Sequence, residues 1–174
     1  VNGIEFNPNM PTEEIFCLPH KYGVNGTLAS TKPLVYGGNV INDFVLKFEK
    51  GRIVDFTAKE GEETLKHLIE TDEGSHYLGE IALVPYSSPI SDTNTVFYNT
   101  LYDENASCHF AIGSAYSSCI EGGNDIKAED FDKYGINDSL THVDFMVGSA
   151  DLDIVGITHD GEKIQIFKDG NWVF

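Results

Sequence analysis

The 174-residue chain is long enough to bury a core of its own, and 41% hydrophobic with 11% aromatic residues excludes disorder. Its apolar runs, such as residues 81–84, fall far short of the ~20 residues that a membrane-spanning helix needs. Eleven Lys and Arg stand against 28 Asp and Glu, a formal charge of −17. The few cations are scattered singly, so the basic footprint demanded by nucleic acid or an anionic membrane is missing, and metal ions or ammonium-bearing substrates are the favoured ligands.

In chain order, Asn9-Met10-Pro11-Thr12-Glu13-Glu14 reads as a helix start, with Thr12 as N-cap and two acids in the first turn. Residues 45–48 and 53–57 alternate on either side of Glu49-Lys50-Gly51-Arg52, which predicts a hairpin. The spacing of Leu65, Leu68 and Ile69 predicts a helix over 60–69 with acids in its first turn. A short strand is expected over 80–84, ended by Pro85, and a short helix around Val96, Phe97, Thr100 and Leu101. Strands follow over 108–112 and 141–147. From Ile154 the tail predicts hairpins with turns at His159-Asp160-Gly161 and Lys168-Asp169-Gly170. The expected fold class is α+β: a mixed, largely antiparallel sheet with packed helices, in a single domain spanning 1–174 without linker or repeat.

Cys17, Cys108 and Cys119 are odd in number and lack C-x-x-C spacing, which predicts neither a disulfide framework nor a thiolate zinc site. With no basic-then-apolar leader, the expected location is cytoplasmic, and the glycosylation-like triplets at Asn25, Asn105 and Asn137 are read as chance.

Several residues have metal-binding chemistry. A carboxylate of Glu13 or Glu14 suits Zn, Mn or Co, the alternative to the helix start. On a strand, His142 and Asp144 of Thr141-His142-Val143-Asp144 project to one face and can share an ion, although a histidine beside an aspartate is also a common surface pair. Asp103-Glu104-Asn105-Ala106-Ser107-Cys108-His109 places two acids near a histidine, or is a polar helix end with Glu104 solvated and His109 packed in the sheet. Glu80 opens its strand, and Tyr116 reads as a core or rim aromatic. No Gly-x-Ser-x-Gly elbow, HExxH or phosphate-binding loop is present. Cys108 and His109 are adjacent on a strand and therefore face opposite ways.

Taken in order, Asn9-Met10-Pro11-Thr12-Glu13-Glu14, Val24-Asn25-Gly26-Thr27, Ser30-Thr31-Lys32-Pro33-Leu34 and Leu78-Gly79-Glu80-Ile81-Ala82-Leu83-Val84-Pro85 resemble the M29 family of metallo-aminopeptidases. Phe97-Tyr98-Asn99-Thr100-Leu101, residues 103–109, Ile120-Glu121-Gly122-Gly123 and Thr141-His142-Val143-Asp144-Phe145-Met146 continue the resemblance over nearly the whole chain. It implies an aminopeptidase that hydrolyses peptides with a free N-terminus through a water activated by two divalent ions (Zn, Co or Mn). By the same resemblance, Glu14, Glu80, His109, His142 and Asp144 are metal ligands and Glu104 is a further acidic position at the site. Tyr116 is an active-site tyrosine, and Glu80 is also expected in the catalytic machinery. Either Glu80 or Asp144 is expected to bridge the ions, and the general base lies between Glu13 and Glu104. The resemblance also implies a homodimer and a preceding N-terminal domain, making this chain the C-terminal, metal-binding portion. Two other outcomes stay open: a folded metal-binding fragment without turnover, and an acidic, non-catalytic interaction module.

Overall fold

The computed structural model describes Glu5 and residues 14–174. Three sets of antiparallel strands build the fold, so the expected α+β class holds, but the strands divide into separate sheets rather than forming one. The first set is centred on β4 (Asn39–Glu49), which pairs with β5 (Arg52–Glu60) on one edge and with β2 (Gly26–Ala29) and β3 (Leu34–Tyr36) along the other. The expected hairpin is therefore present and longer than its alternating core. Its turn uses Lys50 and Gly51 at φ 48° and 82°, the left-handed pair that matches strand twist. A side chain on Gly51 would also collide with the Lys21 carbonyl at 1.7 Å. The buried side chains Phe44, Leu46 and Phe48 follow the period-2 rule.

Helix α1 (Glu62–Ile69) buries Leu65, Leu68 and Ile69, as their spacing predicts. It starts two residues later than expected, because β5 runs to Glu60 and Gly61 turns the chain at φ 75°. Glu62 and Glu63 occupy its first turn, where the helix dipole favours negative charge.

The second sheet has the order β1 (Ile15–Cys17), β6 (Leu78–Leu83), β7 (His109–Gly113) and β8 (His142–Met146). Ile112 and Phe145 from this sheet enter one cluster with Leu34, Ile41, Phe44, Leu46, Phe48 and the α1 leucines. The Phe44 and Phe145 rings meet at 5.5 Å, joining the two sheets. The segment entering β1 is extended at Ile15, which corrects the helix expected to start at Thr12, itself outside the described residues. An edge strand paired to β6 overrides the local capping signal.

The tail forms the third sheet, order β11 (Asn171–Trp172), β10 (Lys163–Lys168), β9 (Ile154–Ile157), where Phe167 is buried against Trp172 at 4.4 Å. The short helix expected near 96–101 is the single turn α2 (Thr100–Asp103), capped by the Asn99 side chain. Phe97, Tyr98 and Leu101 are exposed rather than packed inward, because the buried Asp103 carboxylate draws the N–H groups of Phe97 and Asn99 onto itself and folds the segment back. Asn105 and Asn137 are fully buried, which agrees with reading their triplets as chance. Among the described residues, no helix is long and apolar enough to cross a membrane.

Candidate metal centre

The candidate centre follows from strand register. His109, Ala111 and Gly113 of β7 face Met146, Asp144 and His142 of β8, so His109, Asp144 and His142 share one side of the sheet. Val143 and Phe145 take the other side and join the core, as the alternation of this segment predicts. In β6, Ala82 lies opposite His109 and Glu80 opposite Ala111, which brings Glu80 to the same side. Phe16 of β1 faces Ala82, and Glu14, just before β1, lies two residues back on the same face.

Glu80 reaches that face only through an irregularity. Leu78 pairs with Ile112 and Glu80 with Ala111, so two steps along β6 match one along β7. In a regular strand Leu78 and Glu80 would point the same way. The bulge separates them, sending Leu78 into the core and Glu80 to the polar side. Gly79, between them, meets the chain leaving β7: a Cβ there would lie 2.1 Å from the Ser114 carbonyl oxygen. Gly113 makes the matching approach at φ 109°, where a Cβ would lie 2.1 Å from the Thr141 carbonyl oxygen.

Backbone carbonyls orient both histidines, that of Ser114 by way of this close passage. His142 Nδ1 lies 2.7 Å from the Ser114 carbonyl oxygen, and His109 Nδ1 lies 3.0 Å from that of Ser107. A carbonyl only accepts, so each Nδ1 carries the proton and donates it, leaving Nε2 as the free lone pair of the neutral ring. Both Nε2 atoms point at carboxylates. His109 Nε2 lies 3.1 Å from Glu14 Oε2 and 3.6 Å from Glu80 Oε1. His142 Nε2 lies 3.5 Å from Glu80 Oε2 and 3.5 Å from Asp144 Oδ1. Glu80 thus presents one oxygen to each histidine.

Burial penalises charge throughout, yet opposite charges outweigh it here. Glu14 and Glu80 push His109 up to about 10, and Asp144 and Glu80 push His142 up to about 11. The two rings in turn draw Glu80 down to about 2 against its own burial. Three carboxylates within the sheet face therefore attract positive charge strongly.

The donor set fits divalent metal. Glu14, Glu80 and His109 form one group and Glu80, His142 and Asp144 a second, the ligand atoms of each lying within 4.8 Å of one another. Ligand atoms ~2.0–2.2 Å from one tetrahedral ion stand ~3.3–3.6 Å apart, close to the spacings above. Glu14 Oε2, His109 Nε2 and Asp144 Oδ1 are buried without a hydrogen-bond partner. The Glu14–His109 pair is at ion-pair distance but lacks hydrogen-bond geometry, and a divalent cation that displaced the ring proton would give all three atoms a partner.

The other expected residues divide. Tyr116 follows β7 and places its ring 5.3 Å from that of His142, at the rim of the face, with half of its surface exposed. Glu104 is buried in a 3₁₀ turn at 104–106 beside β8 and is in neither group. Glu13 lies outside the described residues. The Cys108 thiol turns away from His109 toward the backbone of Val84. Ser107 and Ser114 act through backbone carbonyls, which no side-chain pattern announces.

Two imidazoles and three carboxylates on one face of an antiparallel sheet are a donor set of the class that suits divalent metal through nitrogen and oxygen. The model of the family described as thermophilic metalloprotease (M29) matches residues 1–172, and the chain belongs to that family. It is 63% identical to aminopeptidase AmpS of Bacillus subtilis and 59% identical to aminopeptidase 2 of Geobacillus stearothermophilus, in each case over 99% of this chain and 42% of the relative. The fold matches wild-type AmpT from Thermus thermophilus with a TM-score of 0.90 and 45% identity, over 97% of this chain and 41% of that one. The chain thus spans about two-fifths of the length of the relatives it matches.

Proposed function

We propose that this chain carries the two-metal centre of an aminopeptidase that removes N-terminal residues from peptides. The observation that carries the reading is Glu80, whose Oε1 and Oε2 lie 3.6 Å and 3.5 Å from His109 and His142. One carboxylate turned to two histidine sites suits a bridging ligand, which supports Glu80 rather than Asp144 in that role. Glu14 and His109 would complete one site, and His142 and Asp144 the other. Two divalent ions held by these residues would supply Lewis acidity to the scissile carbonyl and lower the pKa of an attacking water. Zn, Co and Mn all suit this donor set.

The chain's own residues have separate tasks. The Ser107 and Ser114 carbonyls accept from Nδ1 and so aim each Nε2 at the site, as the outer partners of metal-binding histidines do. The net charge of −17 favours approach of a substrate with a free α-ammonium group, which supports exopeptidase over endopeptidase recognition. Tyr116, against His142 at the open rim, can donate a hydrogen bond to the oxyanion that develops on the substrate carbonyl.

The test pairs elemental analysis with hydrolysis of an aminoacyl-nitroanilide. We expect two ions per chain, falling for both ions in Glu80→Gln, together with metal-dependent release of nitroaniline. Two ions per chain in Glu80→Gln would remove the bridging assignment. Two ions without any hydrolysis would favour a metal-binding fragment without turnover.

A further inference from the structure

On the polar face, the residues neighbouring the ligands are mostly small: Ala82, Ala111 and Gly113. The larger ones are Met146, buried opposite His109, and the half-buried Phe16. Phe16 stands on the edge strand β1, two residues after Glu14, in the same cross-strand row as Ala82 and His109. Its strand neighbours Ile15 and Cys17, on the opposite side, are exposed, so β1 directs its half-buried aromatic toward the metal-binding face.

The Phe16 ring meets Tyr116 edge-on at 6.4 Å, and Tyr116 meets His142 at 5.3 Å. Strands β1 and β8 lie at opposite edges of the sheet, three strand intervals or about 14 Å apart. A single tyrosine ring therefore meets a residue from each edge, and the two strands between those edges, β6 and β7, carry Glu80 and His109. An exposed tyrosine on a loop has free rotamers to lose, and two aromatic contacts at opposite edges remove that freedom.

We propose that Phe16 is a positioning residue that holds the Tyr116 ring across the metal-binding face against His142. The role rests on the peptidase reading above, in that Tyr116 serves the developing oxyanion. It explains why the edge strand that follows the proposed ligand Glu14 also points a phenyl ring at the site. Phe16 touches no reacting atom and acts only through Tyr116.

Nuclear magnetic resonance on the metal-loaded chain, with all eight tyrosines replaced by 3-fluorotyrosine, tests placement directly. The Tyr116 fluorine line is assigned by its loss in Tyr116→Phe. Phe16→Ala should shift and sharpen that line alone, with metal content unchanged, and Phe16→Tyr should restore it. Phe16→Leu, which keeps bulk without the ring, serves if the alanine variant does not fold. In kinetics, Phe16→Ala should lower kcat about 3- to 10-fold with KM unchanged, and the effect should vanish in a Tyr116→Ala background. A Tyr116 line that stays in place, or an equal loss of kcat in that background, would overturn the proposal. If the wild-type chain hydrolyses nothing, the peptidase reading fails separately and the fluorine line alone decides the placement.

Discussion

The two faces of β6, β7 and β8 are both largely shielded from solvent, yet they are stable for opposite reasons. On one, Ile112, Val143 and Phe145 pack against Phe44, Leu46 and the α1 leucines, and each Å² withdrawn from water is favourable in itself. On the other, Glu80, His109, His142 and Asp144 lose hydration, and burial is unfavourable for each group taken alone. Opposite charge and, for the two imidazoles, hydrogen bonds to backbone carbonyls offset that loss. The apolar face therefore has its partner within the chain, whereas the polar face leaves Glu14 Oε2, His109 Nε2 and Asp144 Oδ1 without a hydrogen-bond partner. Strand alternation lets adjacent residues serve the two purposes without compromise, as Phe145 and Asp144 do.

The largest expected effect falls on the apolar face. Phe145→Ala should cost about 3–5 kcal/mol in a denaturant melt, because a fully buried ring between two sheets leaves a cavity. The fraction that stays folded should still bind metal with wild-type stoichiometry. Metal loss in folded Phe145→Ala would show that the two faces are coupled more tightly than alternation implies.

The polar face should respond to ions in the opposite way. Saturation with Zn or Co at a hundredfold excess over Kd should raise stability by about 2.7 kcal/mol over the chelator-treated protein, read as an upward shift in the thermal midpoint. An unchanged midpoint at millimolar metal would mean that the orphaned atoms do not form a site.

A neighbouring pair of variants sharpens the contrast. Val143→Ala should lower stability by about 1–3 kcal/mol with metal content intact. His142→Ala, one residue away, should reduce metal content by one ion per chain while leaving the apo protein folded. Exchange of these phenotypes would reverse the assigned faces.

The smallest effect concerns the entry to β8. Asp72 accepts hydrogen bonds from Ser75 N–H and Ser139 Oγ, both at 2.8 Å, and from Leu140 N–H at 2.6 Å. Burial opposes its charge, but these donors prevail and hold the carboxyl below its ordinary value of 3.8. A depressed carboxyl adds stability that is fully present above the unfolded pKa and is lost as pH falls through the lower folded one. Asp72→Asn should therefore be less stable than wild type at neutral pH. The gap should close in acid below about pH 4, as measured by denaturant melts across pH. A gap that persisted unchanged into strong acid would assign the effect to shape rather than charge.

Local pattern by itself determined much of this protein. The period of two placed His142 and Asp144 on one face and Val143 and Phe145 on the other, and the spacing of Leu65, Leu68 and Ile69 marked the buried stripe of α1. These signals were legible because side-chain direction on a strand or helix depends on a few neighbouring residues alone. The motifs around Glu14, Glu80, His109 and His142–Asp144 also pointed to the family. Tertiary structure decided the rest. Thr12-Glu13-Glu14 has the composition of a helix start, yet pairing with β6 draws the chain at Ile15 into a strand. Regular alternation would put Leu78 and Glu80 on one side, and only the bulge at Gly79, pressed against the Ser114 carbonyl, turns Glu80 between the two histidines. The lone pairs of His109 and His142 are aimed by backbone carbonyls, and Phe16 meets Tyr116 across a hundred residues of chain. Such contacts depend on which segments come close, and carbonyl oxygens are common to every residue type, so no local pattern encodes them.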